Sequence, residues 1–310
     1  FDKGVMTLVN EERQHALLGM LERHLVHARR ASGGSAANSV MATRHFGGTA
    51  FYSCKVADDD NGRFYLADME RAGVRTNRLA AGATGVTGKC LVMITPDAER
   101  TMNTFLGASS TLSSEDLDPV ALAASKYLYL EGYLVTSPSA RAASVRGREL
   151  AEAAGVKTAL SFSDPGIVAH FREGLMEMLG NGVDLVFCNA AEALEWTGAA
   201  SIEAAAEGLR GIARGFAITL GAEGALVFDG RQTHRIAPHP VRAVDTNGAG
   251  DMFAGAYLYA ITQGHGAAAA GALACRAAAE LVTHYGPRLD RKSTRLNSSH
   301  SSVSRMPSSA

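Results

Sequence analysis

The feature that most limits how this chain can fold is an alternation that begins near residue 126. Short apolar runs, each followed by a stretch with helical periodicity, occur at residues 127–130, 156–162, 185–187 and 216–220. Strands separated by helices are typical of a parallel sheet covered on both faces, because each crossover lays a helix over the sheet. The alternation therefore predicts an α/β fold with a doubly wound, mostly parallel sheet.

The part of the chain before this alternation is less regular. Apolar residues recur at helical spacing over residues 11–30, and a second helix is expected over 36–45 with Ser35 as its N-cap. Three further segments are β-rich, and we expect them to form a small separate sheet: 49–56, 88–95 and 100–106.

Composition narrows the class of protein. A chain of 310 residues with 46% hydrophobic content can bury a large core. Its 30 basic and 31 acidic residues nearly cancel, which argues against nucleic acid or an anionic membrane as the partner. Its four cysteines show no metal-ligand spacing, and no apolar run is long enough to span a membrane. These features predict a cytoplasmic protein with a small-molecule ligand.

One segment carries the clearest chemical signal. Residues 245–251 read DTNGAGD, and a helix is expected to follow over 248–262. A glycine-rich turn at a helix start directs the N–H groups of Gly248, Ala249 and Gly250 toward one point, which suits an anion. Asp251 would repel a phosphate unless it accepts a proton from an attacking hydroxyl, which favours a kinase. The structural alternative is a tight turn in which Asp251 only favours the helix dipole.

The segment resembles a family signature. The pattern GxxxxGK[ST] is absent, whereas DTNGAGD resembles the DTxGAGD signature of ribokinase-like, or phosphofructokinase B, carbohydrate and nucleoside kinases. Residues 33–38, GGSAAN, resemble the other signature of that family. The resemblance implies a ribokinase-like, Rossmann-like fold, with Asp251 as general base and residues 248–250 as an anion hole. It also implies that Gly33, Gly34 and Asn38 bind the acceptor, although a bare glycine pair can be a plain turn.

The resemblance extends to the nucleotide site. It implies that ATP and Mg²⁺ are contacted by Asn189, Thr219, Gly221, Gly224, Thr246 and, for the metal, Glu192. Each short pattern also has a structural explanation: Asn189 and Glu192 can cap a helix, and the two glycines can form an ordinary turn. A K⁺ site beside Asp245 is left open.

The acceptor is less constrained by the sequence. Residues 88–108 look most like bacterial adenosine-kinase-like members, so adenosine is the expected acceptor, with Phe105, Leu106 and Tyr133 as candidates for its base. A sugar kinase for ribose, fructose or 2-keto-3-deoxygluconate remains an alternative, the last with Arg100 as a carboxylate clamp. So does a non-catalytic nucleotide-binding relative.

The expected domain organisation also follows from the resemblance. Residues 1–290 form the kinase domain, with a β-lid from strands near 49–56 and 88–106, as a monomer or homodimer. Relatives begin with a strand and an acceptor-binding Asp, so the domain is expected to be truncated at its N-terminus. Residues 291–310 lose all hydrophobic periodicity and are expected to be a disordered, non-native tail.

Overall fold

The computed structural model of the chain describes residues 6–21, 30–77, 81–94 and 100–289. Among the described residues before position 108, three helices lie between short strands. In chain order these elements are β1 (Met6–Leu8), α1 (Glu11–Leu21), α2 (Ser35–His45), β2 (Phe51–Tyr52), β3 (Val56–Ala57), α3 (Asp60–Arg71), β4 (Arg75–Thr76), β5 (Ala81–Ala83), β6 (Thr87–Ile94) and β7 (Arg100–Gly107).

The second part alternates strands and helices, as predicted. Its elements are α4 (Pro119–Ala123), β8 (Tyr127–Glu131), α5 (Pro138–Ala153), β9 (Lys157–Ser161), α6 (Pro165–His170), α7 (Arg172–Leu179), β10 (Val183–Asn189), α8 (Ala190–Thr197), α9 (Ile202–Leu209), β11 (Ala213–Thr219), β12 (Ala225–Phe228), β13 (Thr233–Ile236), α10 (Ala249–Thr262) and α11 (Ala267–Leu281). Single 3-10 turns follow several of these elements.

The central sheet has six strands in the order β13-β12-β11-β10-β9-β8. Strands β8, β9, β10 and β11 are parallel to one another, whereas β12 and β13 extend the sheet by antiparallel pairing. Two cores lie on opposite faces of the sheet. One core joins the sheet to α6–α9, and the other joins it to α2, α10 and α11. The predicted α/β fold with a doubly wound, mostly parallel sheet is therefore confirmed.

The predicted lid is built differently from the expectation. Strands β6 and β7 form an antiparallel pair that β1 extends into a three-stranded sheet. The segment 49–56 does not join that sheet, because it is divided into β2, which pairs with β4, and β3, which pairs with β5. The division falls at Cys54, whose N–H donates to Asn77 Oδ1 at 3.0 Å instead of to a neighbouring strand.

One helix start was predicted wrongly. Gly34, at φ 101°, is the N-cap of α2, and Ser35 is the first helical residue with its side chain turned elsewhere. The predicted helix over 11–30 is seen as α1, but residues 22–29 lie outside the described residues, as does the predicted tail 291–310. Over the part of the chain that the structure describes, every helix is too short or too polar to cross a bilayer.

Candidate active site

Three polar residues stand at the carboxyl ends of the parallel strands, and two of them were predicted to contact the nucleotide. The predicted residues are Asn189, which ends β10, and Thr219, which ends β11 directly opposite it, whereas Glu131, which ends β8, was not predicted. Because parallel strands end at the same edge of a sheet, these side chains share one edge, which is where open α/β sheets bind ligands.

The turn before α10 is fixed by close packing. Gly248 is the N-cap of α10 at φ 77°, and a Cβ there would lie 2.8 Å from Pro287 Cα. Only glycine meets both conditions. The N–H of Ala249 reaches the Thr246 carbonyl oxygen at 3.3 Å, which is a long hydrogen bond. A phosphate oxygen could compete for that N–H, so Ala249 can take part in an anion hole only by exchanging this contact.

Two glycines at the site are required by neither backbone conformation nor packing. Gly33 and Gly250 have no positive φ, and a Cβ added to either would meet nothing within 4 Å. At both positions the absent side chain leaves open space beside polar groups. This is the arrangement that close approach of a ligand to the backbone requires.

Asp251, in the first turn of α10, is held by two residues of α2. Ser35 Oγ lies 2.6 Å from Asp251 Oδ1, and Asn38 Nδ2 donates to Asp251 Oδ2 at 2.8 Å. The two helices can approach because Gly255 faces α2, where a Cβ would lie 2.3 Å from the Ser39 carbonyl oxygen. The structure thus joins the two segments that the sequence linked only by resemblance.

The amide of Asn38 is oriented from its other side by Arg288. Arg288 Nε donates to Asn38 Oδ1 at 3.0 Å, which leaves Asn38 Nδ2 facing Asp251. Arg288 Nη1 also contacts Asp68 Oδ2 at 3.0 Å and Ser32 Oγ at 3.1 Å. Burial lowers the pKa of Arg288, and Asp68 and Asp251 oppose that shift. Arg288 therefore orients Asn38, which is predicted to bind the acceptor, and is not itself predicted to do so.

Glu131 lies behind Ser35 and is almost fully buried, at 3% exposure. Its Oε1 is 2.7 Å from Ser35 Oγ and 2.7 Å from the Tyr129 hydroxyl, and its Oε2 is 2.7 Å from Ser163 Oγ. Burial, followed by the charge of Asp251, raises the pKa of Glu131 to about 7.

Asn189 and Glu192 form a helix capping box at the start of α8. Asn189 Oδ1 accepts the Glu192 N–H at 2.9 Å, and the Glu192 carboxylate accepts the Asn189 N–H at 2.9 Å and its Nδ2 at 2.7 Å. Burial raises the pKa of Glu192 to about 7. Within the described ranges, no group of three or more His, Cys, Asp or Glu side chains could hold a metal ion.

The turn after Thr219 combines a crowded glycine with an open one. A Cβ at Gly224, whose φ is 90°, would lie 2.1 Å from the Ile236 carbonyl oxygen, so this glycine is structurally required. Gly221 has φ 57° and nothing within 4 Å of a Cβ. Gly221 therefore leaves room at the sheet edge, whereas Gly224 is required by the shape of the turn.

Asp245 and Thr246 fasten the loop before α10. The Asp245 carboxylate accepts the N–H groups of Asn247 and Gly286, both at 2.9 Å, and Thr246 offers its carbonyl oxygen to Ala249. These contacts explain Asp245 as a structural residue. They supply no evidence for the K⁺ site that the sequence left open.

The candidates for an acceptor-base slot are not brought together. Phe105 and Leu106 line a groove of about 380 Å³ on the lid side, together with Leu8 and Val9. Tyr133 instead packs against the core that covers α6–α9. The side chain of Arg100 lies outside the described residues.

Three residues of the site were missed from the sequence: Ser35, Glu131 and Arg288. Ser35 was interpreted as a helix cap because serine before a helical run usually is one. Glu131 directly follows a predicted strand, and an acidic residue at that position could have been recognised as a candidate. Arg288 carries no local signal, since its partners lie about 220 to 256 positions earlier in the chain.

The chain is similar to known proteins over most of its length. A model of the pfkB carbohydrate kinase family matches residues 3–294. An adenosine kinase of Schizophyllum commune is 30% identical over 281 residues, covering 82% of this chain and 79% of the relative. The crystal structure of a probable sugar kinase from Rhizobium etli superposes with a TM-score of 0.89 at 32% identity, covering 96% of this chain and 90% of the other. Adenosine kinase from Sinorhizobium meliloti gives a TM-score of 0.87 at 34% identity, with the same coverage.

Proposed function

The chain belongs to the pfkB family of carbohydrate kinases, and we propose that this member transfers the γ-phosphoryl group of ATP to a hydroxymethyl group of a nucleoside, with adenosine as the acceptor. The observation that carries the proposal is the position of Asp251. Its carboxylate stands in the first turn of α10, held by Ser35 and Asn38, beside the open space at Gly250.

Asp251 acts as the general base in this proposal. The acceptor hydroxyl gives its proton to the Asp251 carboxylate while its oxygen bonds to the γ-phosphorus, and the bond from that phosphorus to the bridging oxygen of ADP breaks. Proton acceptance of this kind contributes about 10²–10⁴ in rate. Asn38 holds the carboxylate, and Gly33 and Gly34 let the acceptor approach the backbone.

The turn from Gly248 to Gly250 stabilises the negative charge that develops on the transferred group. The first N–H groups of a helix lack intrahelical partners, and the helix dipole adds positive potential at the same end. Donors fixed in advance where charge develops are worth about 10²–10³ in rate for a single lost donor. Gly250 has the open space that a phosphoryl group would need.

The nucleotide occupies the ends of β10 and β11, beside Asn189, Thr219 and Gly221. A magnesium ion bound with ATP would neutralise phosphate charge. Asn189 and Glu192 fit a role in holding that ion through water, because Mg²⁺ usually keeps several of its waters and both Glu192 oxygens are already engaged by Asn189. The contacts of Asp245 give no reason to include K⁺.

Adenosine is proposed because two of the relatives described above are named adenosine kinases. A sugar acceptor is the second candidate, since the Rhizobium etli structure, named a probable sugar kinase, is as similar. A non-catalytic role is disfavoured by Asp251 itself, which would only repel phosphate if no proton were transferred. We propose a cytoplasmic monomer or homodimer, with the β6–β7 sheet closing over the acceptor to exclude water.

The test is an assay of ADP release with five acceptors: adenosine, inosine, ribose, fructose and 2-keto-3-deoxygluconate. We expect adenosine to give the highest kcat/KM. A higher kcat/KM for one of the sugars would show that the acceptor is a sugar and not a nucleoside. ADP release that does not depend on any of the five compounds would contradict the proposed transfer to these acceptors.

A further inference from the structure

Two carboxyl groups at the site contact the same serine hydroxyl. Ser35 Oγ lies 2.6 Å from Asp251 Oδ1 and 2.7 Å from Glu131 Oε1. A serine hydroxyl has one proton to donate, so it can satisfy only one of two ionised carboxylates. An oxygen pair at 2.7 Å without a proton between them would be repulsive. One of the two carboxyl groups must therefore be protonated on the oxygen that faces Ser35, so that it donates to Oγ while Oγ donates to the other.

The neighbours of the two groups indicate which one carries the proton. The Asn38 amide faces Asp251 with its Nδ2, which can only donate, and Arg288 fixes that orientation from the Oδ1 side. A donor directed at a carboxyl oxygen favours its ionised form. Arg288 also interacts electrostatically with Asp251, whose negative charge raises the pKa of Arg288.

Glu131 has neighbours of a different kind. Its carboxyl oxygens contact the hydroxyl groups of Ser35, Tyr129 and Ser163, and each hydroxyl can either donate or accept. Such a shell accommodates a neutral carboxyl group. At 3% exposure, Glu131 also loses more hydration than a partly exposed group would on ionising.

We propose that Glu131 carries a proton that it shares with Asp251 through the Ser35 hydroxyl, so that Glu131 is a positioning residue that keeps Asp251 ionised and able to act as base. The inference rests on the proposed function, in which Asp251 accepts the proton of the acceptor hydroxyl. In the resting state, the Glu131 carboxylic acid donates to the Ser35 hydroxyl, which donates to the Asp251 carboxylate. If the proton were on Asp251 instead, the base would be protonated and inactive.

The electrostatic surroundings are consistent with this order. Other titratable groups near Glu131, besides Asp251, are Tyr129 of β8, Tyr133 of the following turn, Tyr52 of β2 and Glu192 of α8. Each of these is neutral or negative, so none of them places a positive charge beside Glu131, and the hydrogen bond from the Tyr129 hydroxyl is outweighed by burial and by the charge of Asp251. The pKa of Glu131 accordingly stands at about 7, raised by burial and then by Asp251.

The test is infrared difference spectroscopy of the carboxylic acid C=O stretch in the full chain at pH 6, without substrate. We expect Glu131→Gln to remove one such band and Asp251→Asn to retain it. Glu192→Gln is the matched control, because Glu192 is a second buried carboxyl with a raised pKa, and it should remove a different band. Ser35→Ala should shift the Glu131 band, because the Glu131 carboxylic acid loses the Ser35 oxygen that accepts its hydrogen bond. The Glu192 band should stay in place.

Three results would overturn the assignment: a band lost with Asp251→Asn instead of Glu131→Gln, no band lost with either, or a Glu131 band that Ser35→Ala does not move. A pH profile of kcat adds a functional readout. The wild-type profile should show an inflection near pH 7 that Glu131→Gln abolishes, and its persistence in that variant would contradict coupling to Asp251. The spectroscopic result needs no turnover, so it stands or falls separately from the proposed kinase activity.

Discussion

The two ends of the candidate site are built in different ways. The acceptor end, comprising Ser35, Asn38, Glu131, Asp251 and Arg288, is a chain of side-chain contacts between segments far apart in sequence. The nucleotide end, comprising Asn189, Glu192, Thr219, Gly221 and Gly224, consists of a capping box and a turn whose contacts are local. The α10 turn with Gly250 adjoins Asp251.

Because the two ends are built differently, substitutions should affect proton transfer and ATP binding separately. Side chains at the acceptor end depend on one another, so losing one should disturb the base and the acceptor together. The local motifs at the nucleotide end are self-contained. Substitutions at the nucleotide end should change the KM for ATP and leave Asp251 able to act as base.

The largest effect is expected at Asp251. Asp251→Asn keeps the shape of the side chain and removes its ability to accept a proton, so kcat should fall by about 100-fold or more for every acceptor. The KM for ATP should change little. Steady-state kinetics with adenosine checks both, and near-normal turnover would show that Asp251 is not the base.

The turn between the two ends is tested by Gly250→Val. A side chain in the open space at this glycine should displace the phosphoryl group from the N–H donors and lower kcat by about 100-fold. Gly266→Val is the control, because Gly266 also has an open Cβ position at a helix start but lies at α11, outside the site. Equal losses in both variants would mean that the effect is one of folding.

A smaller effect is expected at Arg288, which acts through Asn38. Arg288→Ala should lower kcat/KM for the acceptor by about 10-fold, since a hydrogen bond to a charged group is worth about 1.5–3 kcal/mol. The KM for ATP should stay near its wild-type value. Asp68→Asn is the comparison, because it disrupts the Arg288–Asp68 ion pair and leaves Arg288 Nε beside Asn38.

If Asp68→Asn reduces acceptor kinetics as much as Arg288→Ala does, the role of Arg288 is stability alone. Thermal melting of both variants distinguishes a role of Arg288 in stability from a role in orienting Asn38. Only Arg288→Ala should change the acceptor kinetics, even if both lower the melting temperature.

The smallest effect concerns the pH dependence of stability and involves one residue from each end. Glu131 and Glu192 both have a folded-state pKa of about 7, above the usual 4.5. Between those pH values the folded protein keeps protons that the unfolded chain has released, so the contribution of each group to stability falls as pH rises through that window. It is fully present below about pH 4.5 and levels off above about pH 7.

Glu131→Gln and Glu192→Gln should each flatten the wild-type decline in melting temperature across this window. A change of a few degrees is expected, because 1 kcal/mol corresponds to about 2–4 °C in a domain of 150–250 residues. Melting curves at closely spaced pH values measure it. A slope unchanged in either variant would show that the corresponding glutamate is ionised in the folded protein.

The fold was predictable where the signal was periodic. Each apolar run from residue 127 onward became a strand of the central sheet, because strands buried on both faces are continuously apolar. The segment 49–56 was equally β-rich but became two short strands in different sheets. The break between them coincides with the contact between Cys54 and Asn77, which are 23 positions apart, so no local pattern encodes it.

The site was predictable to the extent that its parts are contiguous in sequence. Residues 245–251 predicted a helix start with a carboxylate in its first turn, and α10 begins there with Asp251 in that turn. The role of Ser35 could not be inferred, because its cap propensity is local whereas its partners Glu131 and Asp251 are 96 and 216 positions away. Long-range polar contacts of this kind leave no periodic trace.

In the proposed reaction the acceptor end delivers a hydroxyl to phosphorus under the control of Asp251. Identification of the product of the wild-type chain with ATP and adenosine by ³¹P NMR tests this reaction as a whole. We expect a single new phosphomonoester on the hydroxymethyl group of adenosine, formed in equal amount with ADP. ADP accompanied only by inorganic phosphate, with adenosine unchanged, would contradict it.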